Sequence, residues 1–436
     1  AQPHRLTDYI LIKFFTEIKN FKDGEGLLHV TKKMIFKNIF NKFYEFSKKI
    51  NPENKKLIKD IKNIALVLAG SFIFMILWVN RINFLPENII LWTQGKIFSI
   101  GFVDSFPCAL DGEKVLSKNF QIYDKNIFAL SDTSLNILNS KGKIIRKSKH
   151  NFSNPCLKIS GIRQIIYDIG GKNYKLESLS KTLFEGKTEK KIIACAVSET
   201  GSCAIITESV NHLSELTVYN KSHVEKYHYY FSDIYVTDIC INSFATKAFV
   251  SGISTENGEI ASEIYILDFS SESPEHKIKL SNNTCTNLNI LANENLLAIG
   301  DKYMSFINTK NYNCKNFGYE NKILKSYDFN KEYGICCCLT PSVNDNENDE
   351  IISIDITGNE ITKLNYESSL YNVSQRKNRI IGISSDKLYS YNISGKLEGN
   401  MPVKHHLKKV VLLPNSSMYT LRGATIDKVK INLNKK

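Results

Sequence analysis

The chain reads as an all-β protein, a seven- or eight-bladed β-propeller preceded by a helical arm and one transmembrane helix. Three observations predict this. Eight times after residue 130 a strand-like run ends on a polar turn, at steps of roughly 37 to 48 residues, the size of one four-stranded blade. Helical periodicity is nearly absent over the same region. Ahead of it, between Ile64 and Val79, stands a stretch of sixteen residues without a charge, IALVLAGSFIFMILWV.

The arm comes first, at residues 1–50. Phe36, Ile39, Phe40, Phe43 and Phe46 recur at three- and four-residue steps, with Lys37, Lys42, Lys48 and Lys49 between and after them. That spacing predicts a basic amphipathic helix, lying on an anionic inner leaflet or packing on a partner. The formal net charge is +13, and the first 62 residues hold +7 of it, with 14 Lys+Arg against 7 Asp+Glu. The basic excess thus belongs to the arm rather than to a stripe on the folded domain, which argues against a nucleic-acid partner.

The second element, residues 51–81, is a helix containing the span at about 62–80. Asn51 supplies the N-cap, Pro52 the first helical position and Glu53 a charge suited to the positive end of the helix dipole. Sixteen helical residues cover about 24 Å. Lys62 at one end, and Trp78 with Asn80 and Arg81 at the other, extend the span toward the bilayer thickness. Ten lysines between 32 and 62 precede it, offset by Glu45, Glu53 and Asp60. The positive-inside rule then places the N-terminus in the cytoplasm and the C-terminal domain outside it, in a single-pass cell-membrane topology. No small-x-small cleavage site follows, so the segment reads as a signal anchor. Residues 82–107 form a stalk and entry strand, with Trp92, Phe106 and Pro107 packed on the first blade.

The propeller occupies residues 108–436. Short apolar or alternating runs such as 127–130, 164–168, 192–197, 203–207 and 379–383 are punctuated by Gly, Asn, Asp and Ser, as short strands are. Residues 196–206 predict a hairpin with Gly201 in its turn. The recurring polar turns follow what reads as the outer strand of each unit: residues 139–142, 180–181, 220–222, 270–271, 309–311, 357–359 and 394–396, with the last copy, 425–431, ending the chain. The first unit, 108–145, and the last either form separate blades or combine to close one ring. A β-helix would want a shorter repeat.

The ten cysteines all lie after residue 107 and form no CxxC pair, so they read as small buried strand residues rather than zinc ligands or a redox pair. Cys336 and Cys338 should share one strand face, with Cys337 on the other. The acidic stretch Asp345, Glu347, Asp349 and Glu350 reads as a solvated loop; an EF-type site would want Gly where Glu350 stands. His405–His406 and the scattered His212, His223, His228 and His276 read as surface histidines. Tyr227 to Phe231 reads as an edge strand. No nucleophile elbow, phosphate loop or dinucleotide glycine pattern is present. No catalytic, cofactor-binding or metal-binding residue is therefore assigned, no cofactor is implied, and catalysis is not expected. Asn151, Asn282, Asn372, Asn392 and Asn415 are formal glycosylation acceptors, which would matter in a lumenal eukaryotic propeller.

The order of basic arm, single span, Trp92 and Phe106–Pro107, followed by NILNSKGKII, NPCLKISG, IIYDIGGKNYKLES, AVSETGSCAIITES and LTVYNKS, resembles a family of Gram-positive, mainly clostridial membrane proteins of unknown function. The likeness runs over residues 85–310 and is most specific at Tyr167 to Gly171. It implies an N-terminal span and an exported propeller-like domain, and carries no known catalytic residues. The function expected is a membrane-anchored binding or scaffold module. The lipid bilayer is its partner through Ile64 to Val79, and a protein, peptide or cell-wall polymer is its partner on the propeller face. The rival is an exported enzyme acting on glycans with carboxylates converging on the channel.

Overall fold

Strands of five to seven residues with buried middles cannot cover both of their faces alone, so here they stack as four-stranded sheets around an axis. The computed structural model describes residues 105–436, apart from 257, 343–347, 367–368, 404–406, 414–415 and 434–436, together with Asn63, Gly70, Ser71, Phe74 and Met75, which are helical. The arm and nearly all of the proposed span and stalk, Trp92 included, lie outside the described residues. Among those described, no helix is long and apolar enough to cross a membrane.

The chain enters through β1 (Cys108–Ala109), then builds seven antiparallel meanders in strict order. Blade 1 is β2 (Val115–Tyr123), β3 (Asn126–Ser131), β4 (Ser134–Leu138) and β5 (Ile144–Lys149). Blade 2 is β6 (Pro155–Ser160), β7 (Arg163–Asp168), β8 (Asn173–Ser178) and β9 (Thr182–Lys187). Blade 3 is β10 (Ile192–Val197), β11 (Cys203–Thr207), β12 (Ser214–Tyr219) and β13 (Glu225–Phe231). Blade 4 is β14 (Tyr235–Ile241), β15 (Lys247–Glu256), β16 (Glu259–Asp268) and β17 (His276–Ser281). Blade 5 is β18 (Cys285–Ile290), β19 (Leu296–Gly300), β20 (Tyr303–Ile307) and β21 (Cys314–Gly318). Blade 6 is β22 (Ile323–Asn330), β23 (Gly334–Thr340), β24 (Asp349–Ile354) and β25 (Glu360–Tyr366). Blade 7 is β26 (Asn372–Arg376), β27 (Arg379–Ile383), β28 (Lys387–Asn392) and β29 (Leu397–Pro402). Blade 8 is β30 (Lys409–Leu412), β31 (Ser417–Arg422) and β32 (Thr425–Lys430), completed on its outer side by β1, which pairs Cys108 with Ile426 and Ala109 with Thr425.

The blade number is therefore eight. The chain end supplies only three strands of the last blade, and the fourth comes from the N-terminal side, closing the ring. The open alternative resolves in a specific way: residues 108–109 alone join the last blade, and 115–149 form a blade of their own. The recurring runs that read as outer strands are third strands, one in from the rim (β4, β8, β12, β16, β20, β24, β28 and β32).

Each interface between blades is an apolar layer with alternate residues from both sides. Ala248, Val250, Tyr265 and Leu267 pack toward blade 3, while Phe249, Ile264 and Ile266 from the same strands pack toward blade 5. In β23 the alternation holds as expected, with Cys337 on the blade 5 side and Cys336 and Cys338 on the blade 7 side. All ten cysteines are free, and seven are buried. Burial pushes the Cys203 and Cys285 thiols up to about 12, so they are poor nucleophiles.

In a meander, successive turns alternate between the two ends of the sheet. First-to-second and third-to-fourth turns form one rim, and second-to-third turns with the blade-to-blade links form the other. The chain enters at the first of these. Ser105 N donates to Lys141 O at 2.7 Å in the third-to-fourth turn of blade 1. Phe106 lies against Gly142 and against Tyr419 of blade 8, as expected for the start of the propeller.

Candidate functional site

Two places in a propeller can carry function: the channel lined by the first strands, and the rims. The first strands β2, β6, β10, β14, β18, β22, β26 and β30 hold five cations, Lys118, Lys158, Lys325, Arg376 and Lys409, and two carboxylates, Asp238 and Asp328.

Much of this polar inventory has a structural cause. A first strand exposes an unpaired backbone edge to the channel, and buried N–H and C=O groups need partners. Side chains from a neighbouring blade supply them. Asn119 Nδ2 donates to Pro155 O at 2.8 Å, and Asn119 Oδ1 accepts from Leu157 N at 3.1 Å. Thr237 Oγ1 donates to Cys285 O at 2.8 Å. Asn372 serves β30 through Lys408 O and Val410 N, and Ser374 Oγ accepts from Leu412 N at 3.0 Å. At the closing seam Ser117 Oγ donates to Lys408 O at 3.0 Å.

The two carboxylates belong to the same scheme. Asp238 Oδ2 accepts from Leu288 N of blade 5 at 3.0 Å, and both its oxygens take Lys158 Nζ of blade 2, at 2.7 and 2.9 Å. The pair spans the inner strand of blade 3. Burial would lower the Lys158 ammonium, but Asp238 outweighs that and its pKa is raised. Asp328 Oδ2 accepts from Ser374 Oγ at 2.5 Å and from Gln375 N at 3.1 Å. Burial raises this carboxyl, against the opposing pull of Lys409, the two hydrogen bonds and Arg376. The two carboxylates sit on blades 4 and 6 and each is committed to a different neighbour. They form no convergent acid pair of the kind glycan hydrolysis uses.

The far rim, opposite the chain entry, presents Val210, Tyr230, Tyr235, Ile260, Ile323 and Tyr371, each about half exposed or more. In blade 4 the ten-residue strands β15 and β16 run on past β14. Residues 254–256 project about 10 Å beyond the last β14 pair at roughly 3.3 Å per residue. Register places Tyr235 opposite Ile253, and Ile260 opposite Thr255, on one face of this hairpin.

Several sequence expectations are corrected here. Asp349 and Glu350 are not loop residues: they open β24 and are buried. Asp349 accepts from Leu370 N at 2.7 Å and Thr340 Oγ1 at 2.5 Å, and Glu350 pairs with Lys322 at 2.8 Å. Asp345 and Glu347 lie outside the described residues, as do His405 and His406. His223 is not a simple surface histidine. It stacks between Phe184 and Tyr219, with ring centroids at 3.4 and 4.3 Å, and its Nε2 meets Tyr174 OH at 2.8 Å. His276 stacks on Tyr312. His212 bonds Ser232 at 2.7 Å, and His228 lies 3.6 Å from Glu225. Tyr227–Phe231 is an edge strand as read, within β13. Asn372 is buried and caps β30, so it is closed to glycosylation in the folded state. Sequence reasoning assigned no site residue and missed the inner-edge caps, whose partners lie 36 to 50 residues away or, at the closing seam, 291 residues away.

Among solved structures the C-terminal WD40 domain of Sif2 is similar at a TM-score of 0.53 and 12% identity, covering 76% of this chain and 100% of that one. BamB from Moraxella catarrhalis (0.48, 11%, 76% and 100%) and Saccharomyces cerevisiae Sqt1 (0.49, 11%, 74% and 99%) are similar at a lower level. At these identities the likeness shows the propeller fold alone. None of the curated proteins matches. A family profile covers residues 109–431, reaching through the later blades beyond the 85–310 likeness. The chain therefore belongs to the family of unknown function DUF5711.

Proposed function

We propose that this protein is a membrane-tethered binding or scaffold module, that its far rim receives a protein or peptide partner, and that it is not an enzyme. One observation carries the reading. The large apolar side chains of the rim opposite the chain entry are each about half exposed or more and lie beside a projecting hairpin in blade 4, whereas those of the entry rim, Val224 apart, are less exposed; such a surface marks interaction sites. The channel carboxylates, spent on capping and pairing, weigh against a glycan-cleaving rival. The single span and the extracytoplasmic placement rest on the uncharged stretch from Ile64 to Val79 and the lysines before it. Seven of the ten free thiols are buried in the blade interfaces, and packing between blades rather than disulfides would hold an exported propeller together. A wall polymer is the second occupant, favoured by the tyrosines on the rim.

The test uses the full chain in its native membrane, with a photo-crosslinking residue at Tyr235 or Ile260 on the far rim, or at Val224 on the entry rim. The expected result is a saturable adduct from the far-rim positions only. Equal labelling at Val224, or turnover of a glycan panel abolished by Asp238→Asn, would refute the reading.

A further inference from the structure

The channel wall is left with positive charge that it does not compensate. Asp238 neutralises Lys158, and Lys325 lies 3.8 Å from Asp349 and bonds Ser369 at 2.6 Å. Lys118, Arg376 and Lys409 remain. No hydrogen bond or ion pair joins any of these three side chains to another described residue, and Arg376 Nε is buried without an acceptor.

The three cluster around the seam that closes the ring. The bond from Ser117 Oγ to Lys408 O sets residues 117–118 of blade 1 beside 408–409 of blade 8. Lys409 and Arg376 both act on Asp328, whose Oδ2 is already engaged by blade 7. Burial lowers the Lys409 ammonium, and Asp328 only partly offsets this. Two cations, Lys409 and Arg376, thus act on one carboxylate where uncompensated charge is costly, and the exposed Lys118 stands beside Lys409 across the seam. A bound group carrying two or more negative charges would balance the wall and give the Arg376 guanidinium the acceptor it lacks.

We propose that Lys409, Arg376 and Lys118, around Asp328, form a binding site in the channel for a small multiply charged anion bearing phosphate or carboxylate groups. This site stands independently of what docks on the far rim.

The test is calorimetric titration of the full chain, in a zwitterionic detergent at constant ionic strength, with inorganic phosphate, pyrophosphate and citrate. One saturable site is expected, and the preference between pyrophosphate and citrate identifies the anionic group. Lys409→Met and Arg376→Gln should each weaken binding about tenfold or more, as loss of a charge-assisted hydrogen bond does. Lys118→Met, at an exposed position, should weaken it severalfold. Asp328→Asn keeps the acceptor for Gln375 N but removes the opposing charge, and should tighten it. Lys310→Met, on an exposed turn, should change nothing. If Lys409→Met fails to fold, the Lys118 and Asp328 variants decide. The proposal is overturned by no saturable binding of any of the three anions, by equal weakening in Lys310→Met, or by unchanged affinity in Asp328→Asn.

Discussion

The inner edge of the blades and their third-to-fourth turns meet the same demand, leaving no backbone polar group unpartnered, by opposite means. At the inner edge the partner arrives from a neighbouring blade, as Asn119 serves Pro155 and Leu157 and Asp238 serves Leu288. In the turns it is local. Asn139 Oδ1 accepts from Lys141 N and Lys143 N, Asn220 Oδ1 from Ser222 N and Val224 N, and Asp355 Oδ1 from Thr357 N and Asn359 N, all at 2.8 to 3.1 Å. Asn392 repeats part of the pattern with Lys396 N. The fourth turn residue then takes positive φ: Gly142 at 80°, His223 at 59°, Gly358 at 79° and Gly395 at 84°. Local capping holds a hairpin together whether or not its neighbours are in place, whereas capping across blades exists only once adjacent blades have docked, and the Ser117 cap only once the ring has closed. The first should set strand register and the second the cooperativity of closure.

The largest effect should come from breaking an inner cap. Asp238→Ala strands Lys158 in a partly buried site and orphans Leu288 N, and should cost about 3–5 kcal/mol in chemical denaturation. Asp238→Asn, which keeps an acceptor for Leu288 N, should cost clearly less. If the two substitutions matched each other and a surface control, the inner edge would not depend on this residue.

Turn substitutions come next. At Gly142 an added Cβ would sit 3.0 Å from the Phe106 ring, and φ there is left-handed. Gly142→Ala should therefore cost about 1–3 kcal/mol and loosen the entry segment, read as faster amide exchange at Ser105, whose N–H bonds Lys141. His223 occupies the equivalent place with a side chain, stacked against the blade 2 residue Phe184 and bonded to Tyr174. His223→Ala keeps the strain and loses the stack, for about 2 kcal/mol. His223→Gly loses the stack but relieves the backbone, so it should be about 1 kcal/mol milder than the alanine variant. Equal losses would mean the left-handed backbone contributes nothing here.

This division also explains what could be read from the sequence. The Asn-Ser-Lys-Gly-Lys and Asn-Ile-Ser-Gly-Lys turns at 139–143 and 392–396 show in a single pass because an Asx turn ending in a left-handed glycine is encoded within five residues. That signal marked where the units recur, and it fell on third strands because those are the strands the turns terminate. The strand length of the two-residue β1 is too short to leave a pattern, so ring closure and the number eight stayed open. The inner caps, the burial of Asp349 and Glu350 in β24 and the cation wall depend on which blades become neighbours. An isolated Asp238 or Lys409 looks like any surface charge. His223 reads from sequence as a surface histidine because a histidine at a glycine position breaks the repeat rather than displaying it.

The smallest effect expected is a pH dependence confined to the turn that carries His223. Burial among Phe184, Tyr219 and Tyr174 lowers the His223 imidazole below its ordinary value. The unfolded chain, with a pKa near 6.5, then binds the proton more readily than the folded one. The stability that comes from a neutral His223 is complete above about pH 6.5 and is lost as pH falls through that value toward the lowered folded one. His150, lowered first by its own burial, contributes with the same sign. Denaturation midpoints at about pH 7.5 and about pH 5.5 should therefore fall further apart in the parent protein than in His223→Asn, whose side chain tolerates a left-handed backbone and carries no titrating group. Gly358 and Gly395 occupy the same turn position with no side chain to titrate, so substitutions there should leave the pH slope unchanged. An identical slope in parent and His223→Asn would assign the acid sensitivity to His150 instead. The His223 turn would then differ from its glycine counterparts only in packing.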